Sequence, residues 1–219
     1  MRTDSELQKA VMHELAWDTR VDETAIGVST HHGVVTLNGF VTSWAQKHAA
    51  EAAAHRVAGV LDVANEIKIQ PSWTAKHTDV EIAEAVRRAL EWDVFIPHRQ
   101  IRSTVSDDGH VTLMGTVGTL RQRDDAERAV SNLEGVRLVS NMLVVDAPVV
   151  AATALRNSIK QALERHVARE IDRIGIEVQG ATIVLSGRVA SWSERQAVVG
   201  AAKGTLGVSR IEDQLSIEA

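Results

Sequence analysis

The side chains here with the strongest claim to chemistry are the histidines. His31 and His32 stand side by side ahead of Gly33. Adjacent imidazoles in a turn can hold a surface metal ion, but a closed site needs further ligands, and none stands at a telling interval. His48 and His55 are seven residues apart. On a helix that spacing brings both to one face, with no cysteine beside them, which is a weak signal for a metal. Asp124 and Asp125 lie near the expected start of a helix, where carboxylates favour the helix dipole rather than acid–base work. There is no His-Glu-x-x-His, no Gly-x-Ser-x-Gly and no glycine-rich phosphate loop leading into a helix. Cysteine is absent, so disulfides, thiol chemistry and thiolate metal sites are excluded. The expectation is a protein that is not an enzyme and that uses no cofactor and no metal.

Tryptophan is the other informative residue type, supplying five of only seven aromatic side chains. Trp17 and Trp92 each follow a leucine by two residues and precede an aspartate, while Trp44 and Trp192 each follow a serine. Three roles are open for Trp17, Trp44, Trp92 and Trp192: packing between domains or as a hydrophobic staple, contact with a partner protein, and contact with lipid. Nucleic acid would need aromatics set in a basic groove. Arg121, Arg123, Arg188 and Arg195 supply some charge, and Arg165, Arg169 and Arg173 alternate with Glu170 and Asp172, which reads as a solvated face. The net charge is −5, with the acidic excess in the first two thirds of the chain. No nucleic acid partner is expected.

The elements that must position these residues come in triplicate. The cores are Gly33-Val34-Val35-Thr36-Leu37-Asn38-Gly39, Gly109-His110-Val111-Thr112-Leu113-Met114-Gly115 and Ala181-Thr182-Ile183-Val184-Leu185-Ser186-Gly187, spaced 76 and then 72 residues apart. A period of about 70 residues implies three small tandem domains. Each opens with apolar residues four apart (Leu7, Val11, Leu15; Ile82, Val86, Leu90; Leu155, Ile159, Leu163), the stripe of an amphipathic helix. Thr3 with Glu6 and Thr78 with Glu81 match a capping box; the third unit lacks one there. Two alternating strands follow, joined by polar turns. Ser43 with Gln46, Thr119 with Gln122 and Ser191 with Glu194 then cap a second helix, which runs to Gly59, Gly135 or Gly207 as a C-terminal cap. A last strand closes each unit.

The fold class is therefore α+β: three tandem αββαβ units, each a small three-stranded sheet with two helices on one face. The units span 1–70, 76–146 and 151–219, and the proline-bearing connectors read as stiff. The second sheet face is either wet or docked to a neighbouring unit.

This pattern resembles the BON domain, found in bacterial osmotically induced periplasmic proteins and in some outer-membrane and channel-associated proteins. The resemblance covers nearly the whole chain. It rests on the leading helix, the Gly-x-Val-Thr-Leu-x-Gly core, and Gly-Val followed by Val-x-Asn-x-Ile/Leu. The closing motif carries Gly59 and Asn65, Gly135 and Asn141, and Gly207 with Asp213 in place of asparagine. Gly39, Gly115 and Gly187 read as structural, marking a bend or close packing at the end of the second strand. The resemblance implies no catalytic residue. It implies attachment to a phospholipid membrane surface or to envelope components under osmotic stress, with Trp44 and Trp192 as candidate lipid contacts. The alternative is a cytoplasmic adaptor binding protein partners through sheet faces and edge strands. No apolar leader or spanning segment occurs, so the sequence as it stands reads as cytoplasmic or peripheral to a membrane.

Overall fold

The computed structural model describes residues 2–70, 77–106, 109–166 and 173–217. The first unit comprises α1 (Asp4–Trp17), β1 (Ile26–His31), β2 (Val34–Val41), α2 (Trp44–Arg56), β3 (Asp62–Asn65) and β4 (Lys68–Ile69). The second comprises α3 (Asp79–Trp92), β5 (Ile101–Ser106), β6 (His110–Val117), α4 (Leu120–Ser131) and β7 (Leu138–Val145). The third comprises α5 (Ala152–His166), β8 (Ile174–Gln179), β9 (Thr182–Val189), α6 (Trp192–Lys203) and β10 (Arg210–Ile217). In every unit the first two strands pair antiparallel and the last pairs parallel to the central one. That parallel return is what forces the second helix into the crossover. The first unit's last strand is broken at Glu66 and Ile67, and its two pieces keep one register on β2.

Each repeat closes its own apolar interior. Val35 and Leu37, Val111 and Leu113, and Ile183 and Leu185 are fully buried beneath the leading helices' stripes. Period two on the strand and period four on the helix are the sequence patterns that create these layers. Both predicted capping boxes of the leading helices form, with Thr3 and Thr78 accepting from the amides of Glu6 and Glu81 and donating amides back. The second helices use a variant. Ser43, Thr119 and Ser191 accept from the amide three residues on, but Gln46, Gln122 and Glu194 reach past the cap to the amides of Thr42, Gly118 and Ala190.

Gly39, Gly115 and Gly187 all take positive φ, near 123°, 128° and 124°. A Cβ there would overlap the carbonyl oxygen of Ala25, Gln100 or Arg173, the residue that leads into the first strand. Gly59, Gly135 and Gly207 also take positive φ. They stand three or four residues past the helix end, in the turn toward the last strand, because the helices stop at Arg56, Ser131 and Lys203.

Among the described residues the open sheet faces make no extensive packing against another unit. The units dock through α2, α4 and α6, the crossover helices. The first connector, including Trp73, and Asp107, Asp108, Arg169, Glu170 and Asp172 lie outside the described residues.

Candidate functional site

The residue directly after each second-helix cap reaches into the next unit. Trp44 packs against the core of the second unit. Leu120, its equivalent there, is buried in the core of the third. Trp192, the third unit's equivalent, stacks on His55 of the first, with ring centroids 3.9 Å apart and planes 9° from parallel. One head-to-tail contact used three times thus closes a ring, as heterologous interfaces do when the rotation closes. Two polar contacts fasten α4 to α6: Lys203 Nζ donates to Asp124 at 2.7 Å, and Arg121 Nη2 to the Gly200 carbonyl at 3.2 Å. Asp124 therefore serves an inter-unit ion pair as well as its place in the first turns of α4.

Trp44 and Trp192 are half-buried in these contacts, and Arg195 lies over the Trp192 ring at 4.9 Å. Part of each indole packs on neighbours within the chain. His55 is 7% exposed, and burial lowers its pKa below the usual imidazole value, offset by the nearby Glu51 and Asp62. A cavity of about 910 Å³ lies where α2, α4 and α6 meet. Its acids are engaged: Glu51 and Glu127 accept from Asn65 and Asn141, and Asp124 from Lys203.

Trp17 and Trp92 have the opposite fate, at 73% and 90% exposed. Each sits two residues past the last stripe leucine, about 200° round the helix from it, so each must face away from the core. Trp17 donates its Nε1 to His13 at 3.0 Å. Trp92 has no such partner among the described residues, and the chain continues into Val94 and Phe95, 86% and 73% exposed. Asp93 holds this tip by accepting the Phe95 amide at 2.9 Å. The sequence reading missed Val94 and Phe95. Their signal was three large apolar residues within four positions just after a helix stripe ends.

The last-strand asparagines clamp the crossover helices. Asn65 Nδ2 donates to the Lys47 carbonyl and to Glu51, and its Oδ1 accepts from the amide of Ile67. Asn141 repeats all three bonds with Arg123, Glu127 and Leu143. In the third unit Asp213 still accepts from the Leu215 amide, but now also from Arg195 Nε at 2.8 Å. Val199 stands where the other units have their glutamate. The two changes belong together, since Asp213 facing a glutamate would set carboxylate against carboxylate. Asn141→Asp alone is therefore expected to destabilise the protein by about 2 kcal/mol or more, and adding Glu127→Val to restore at least half of that. Urea unfolding of the two variants checks it; equal losses would refute the coupling.

His31 and His32 form a polar turn whose His32 amide donates to Asp4 at 3.1 Å. Among the described residues no three His, Cys, Asp or Glu side chains gather to hold a metal.

Compared with known families, the chain matches the BON domain model three times, at residues 3–71, 78–147 and 151–219. The chain belongs to the BON family. It is 32% identical over 144 residues to the osmotically-inducible protein Y of Escherichia coli strain K12, an alignment covering 64% of this chain and 71% of that protein. Among solved structures it aligns with CdsD, a structural protein of the type III secretion system of Chlamydia trachomatis, at 12% identity and a TM-score of 0.27, covering 97% of this chain and 92% of that one. It also aligns with the PrgH periplasmic domain at 10% identity and a TM-score of 0.22, covering 89% and 95%. Similarity that low carries no inference. Among the described residues no helix is long and apolar enough to cross a membrane.

Proposed function

We propose that this BON-repeat protein attaches peripherally to a phospholipid membrane surface as part of an envelope stress response. The observation that carries the reading is the Trp92, Val94 and Phe95 tip, three large apolar side chains presented together to solvent. Among the described residues no packing covers them, and an indole with aliphatic and phenyl neighbours suits the headgroup and acyl boundary. Arg88 and Arg99 flank the tip and are exposed, which suits anionic headgroups and offsets locally a chain whose net charge is −5. The osmotic inducibility in the name of the Escherichia coli relative supports the stress setting.

Co-sedimentation with phosphatidylcholine vesicles and with phosphatidylcholine–phosphatidylglycerol vesicles at low salt is the test. The expected result is binding that is stronger to the anionic vesicles. Withdrawing two large apolar side chains, each contributing about 1.5–3 kcal/mol when buried, should weaken it at least tenfold in Trp92→Ala/Phe95→Ala. Absence of binding to both vesicle types overturns the reading.

A second reading, a protein-binding adaptor, has one observation in its favour. On the open sheet face of the second unit Met114 lies beside Met142 across the β6–β7 pair, and Met142 and Val144 are exposed. Methionine-lined sheet surface suits an adaptable protein contact.

A further inference from the structure

We propose that the free edge of β5, overlooked by α3 of the second unit, takes up an extended segment of a partner protein as an added strand, one that alternates apolar with acidic side chains. This gives the adaptor reading a surface of its own, apart from the methionine-lined sheet face, and it does not depend on attachment to vesicles.

The first unit shows the same edge closed. Gln8 Nε2 donates to the Val28 carbonyl at 2.7 Å, and Thr30 Oγ1 donates to the Asp4 carbonyl at 2.6 Å. The Val28 carbonyl is thus turned away from β2, and the flank of α1 overlooks that edge. An antiparallel pair turns the amide and carbonyl of every second edge residue outward. Ser103 stands opposite Leu113 as Val28 stands opposite Leu37, so in β5 the outward groups belong to Ile101, Ser103 and Val105. α3 packs on β5 as α1 packs on β1. In the second unit, however, Ala83 replaces Gln8 and Val105 replaces Thr30. Neither side chain can make the closing bond. Val80, in the place of Ser5, is exposed three residues before Ala83 on the same side of α3.

The other edges are less free. In the last strands Asn65, Asn141 and Asp213 take up the amides of Ile67, Leu143 and Leu215, and Arg123 covers the Asn141 carbonyl. β8 has Gly175 and Glu177 where β5 has Arg102 and Thr104, with Arg156 in the place of Gln8. Glycine weakens a strand as a template, and Glu177 repels an acidic partner.

The chemistry of the occupant follows from the two sides of the edge. Side chains of an added strand alternate between them. On the helix side they meet Val80 and Ala83, which suits branched apolar residues. On the open side they meet Arg102, exposed and in no ion pair among the described residues. Its cross-strand neighbour is Met114, and residues 96–106 hold two arginines, a histidine and no acid. A carboxylate is the group that this side selects.

The test titrates the full chain, labelled with nitrogen-15, with a capped synthetic peptide alternating valine and glutamate, and with a valine–lysine peptide as the opposite-charge comparison. Amide spectra are expected to show saturable shifts centred on Ile101, Ser103, Val105 and Ala83, half complete at or below about 1 mM glutamate peptide. The lysine peptide should bind about tenfold more weakly or not at all. Ala83→Gln rebuilds the first unit's closure and should weaken binding by about tenfold. Arg102→Glu, at an exposed position that folding does not depend on, should reverse the order of the two peptides. Absence of saturable shifts, undiminished binding in Ala83→Gln with a parent-like spectrum, or an unchanged order in Arg102→Glu would each overturn the proposal. Shifts confined to Met114, Met142 and Val144 would overturn the edge site while leaving the adaptor reading on the sheet face.

Discussion

Gly115→Ala is expected to destabilise the protein by about 3 kcal/mol or more, a large share of what holds a domain of this size together. Two penalties act at once. At φ 128° the residue lies where L side chains rarely go, which costs on the order of 1–3 kcal/mol. The new Cβ would also overlap the Gln100 carbonyl oxygen, backbone that cannot swing aside as a side chain would. Gln100 is fixed from both sides, since its amide is bonded to the Pro97 carbonyl and the next residue opens β5. The damage should not stay local. The second unit receives Trp44 and lends Leu120, so loosening it frees two of the ring's three contacts. Urea unfolding monitored by far-ultraviolet circular dichroism reads the loss. Gly200→Ala is the control, because that glycine sits inside α6 with open space around it, and alanine there should stabilise by up to about 1 kcal/mol. Equal behaviour of the two variants would refute the assignment of Gly115 to a steric requirement.

Most of the fold was legible because it is written in local periods. Leu7, Val11 and Leu15 specify a helix stripe, and Val35 and Leu37 a strand face, whatever surrounds them. The caps at Ser43, Thr119 and Ser191 are equally local. The candidate site was less legible, and for a physical reason. Trp44 and Trp192 stand at the first helical position after the cap, where only the arrival of another unit decides between lipid, partner and packing. Nothing local announced that α6 would lay Trp192 on His55. Trp17 and Trp92 were decidable in principle, because two residues past a stripe leucine is the far side of a helix. The Asp213 departure was likewise readable only as a pair with Val199, which lies 14 positions earlier and meets it only through the crossover.

The ring should also weaken in mild acid, and His55 is the group that makes it do so. Burial against Trp192 disfavours the imidazolium and lowers its pKa from the ordinary 6.5. Arg195, over the same indole, pushes the same way, while Glu51 and Asp62 oppose it without prevailing. In the unfolded chain the imidazole keeps its ordinary value. Below pH 6.5 the unfolded state therefore binds the proton first, so stability is complete above that pH and is lost as pH falls from it toward the folded value. Asp18 works in a separate window. Hydrogen bonds from Arg20 and Arg56 hold its carboxyl far below the ordinary 3.8, so its contribution survives until pH drops below about 4 and is lost only there. The two groups are thus separable by pH alone. His55→Phe keeps a flat ring for the Trp192 stack and removes the titration. Because the buried Nδ1 has no partner to lose, stability at pH 7.5 should change by less than about 1 kcal/mol. Between pH 7 and pH 5 the parent should lose stability while the variant stays level. Trp192→Ala, which deletes the stacked ring, should cost about 2–3 kcal/mol at neutral pH and flatten the same limb, since His55 then reaches water. Parallel profiles for parent and His55→Phe across that interval would remove His55, and with it the contact that closes the ring, from the account of acid sensitivity.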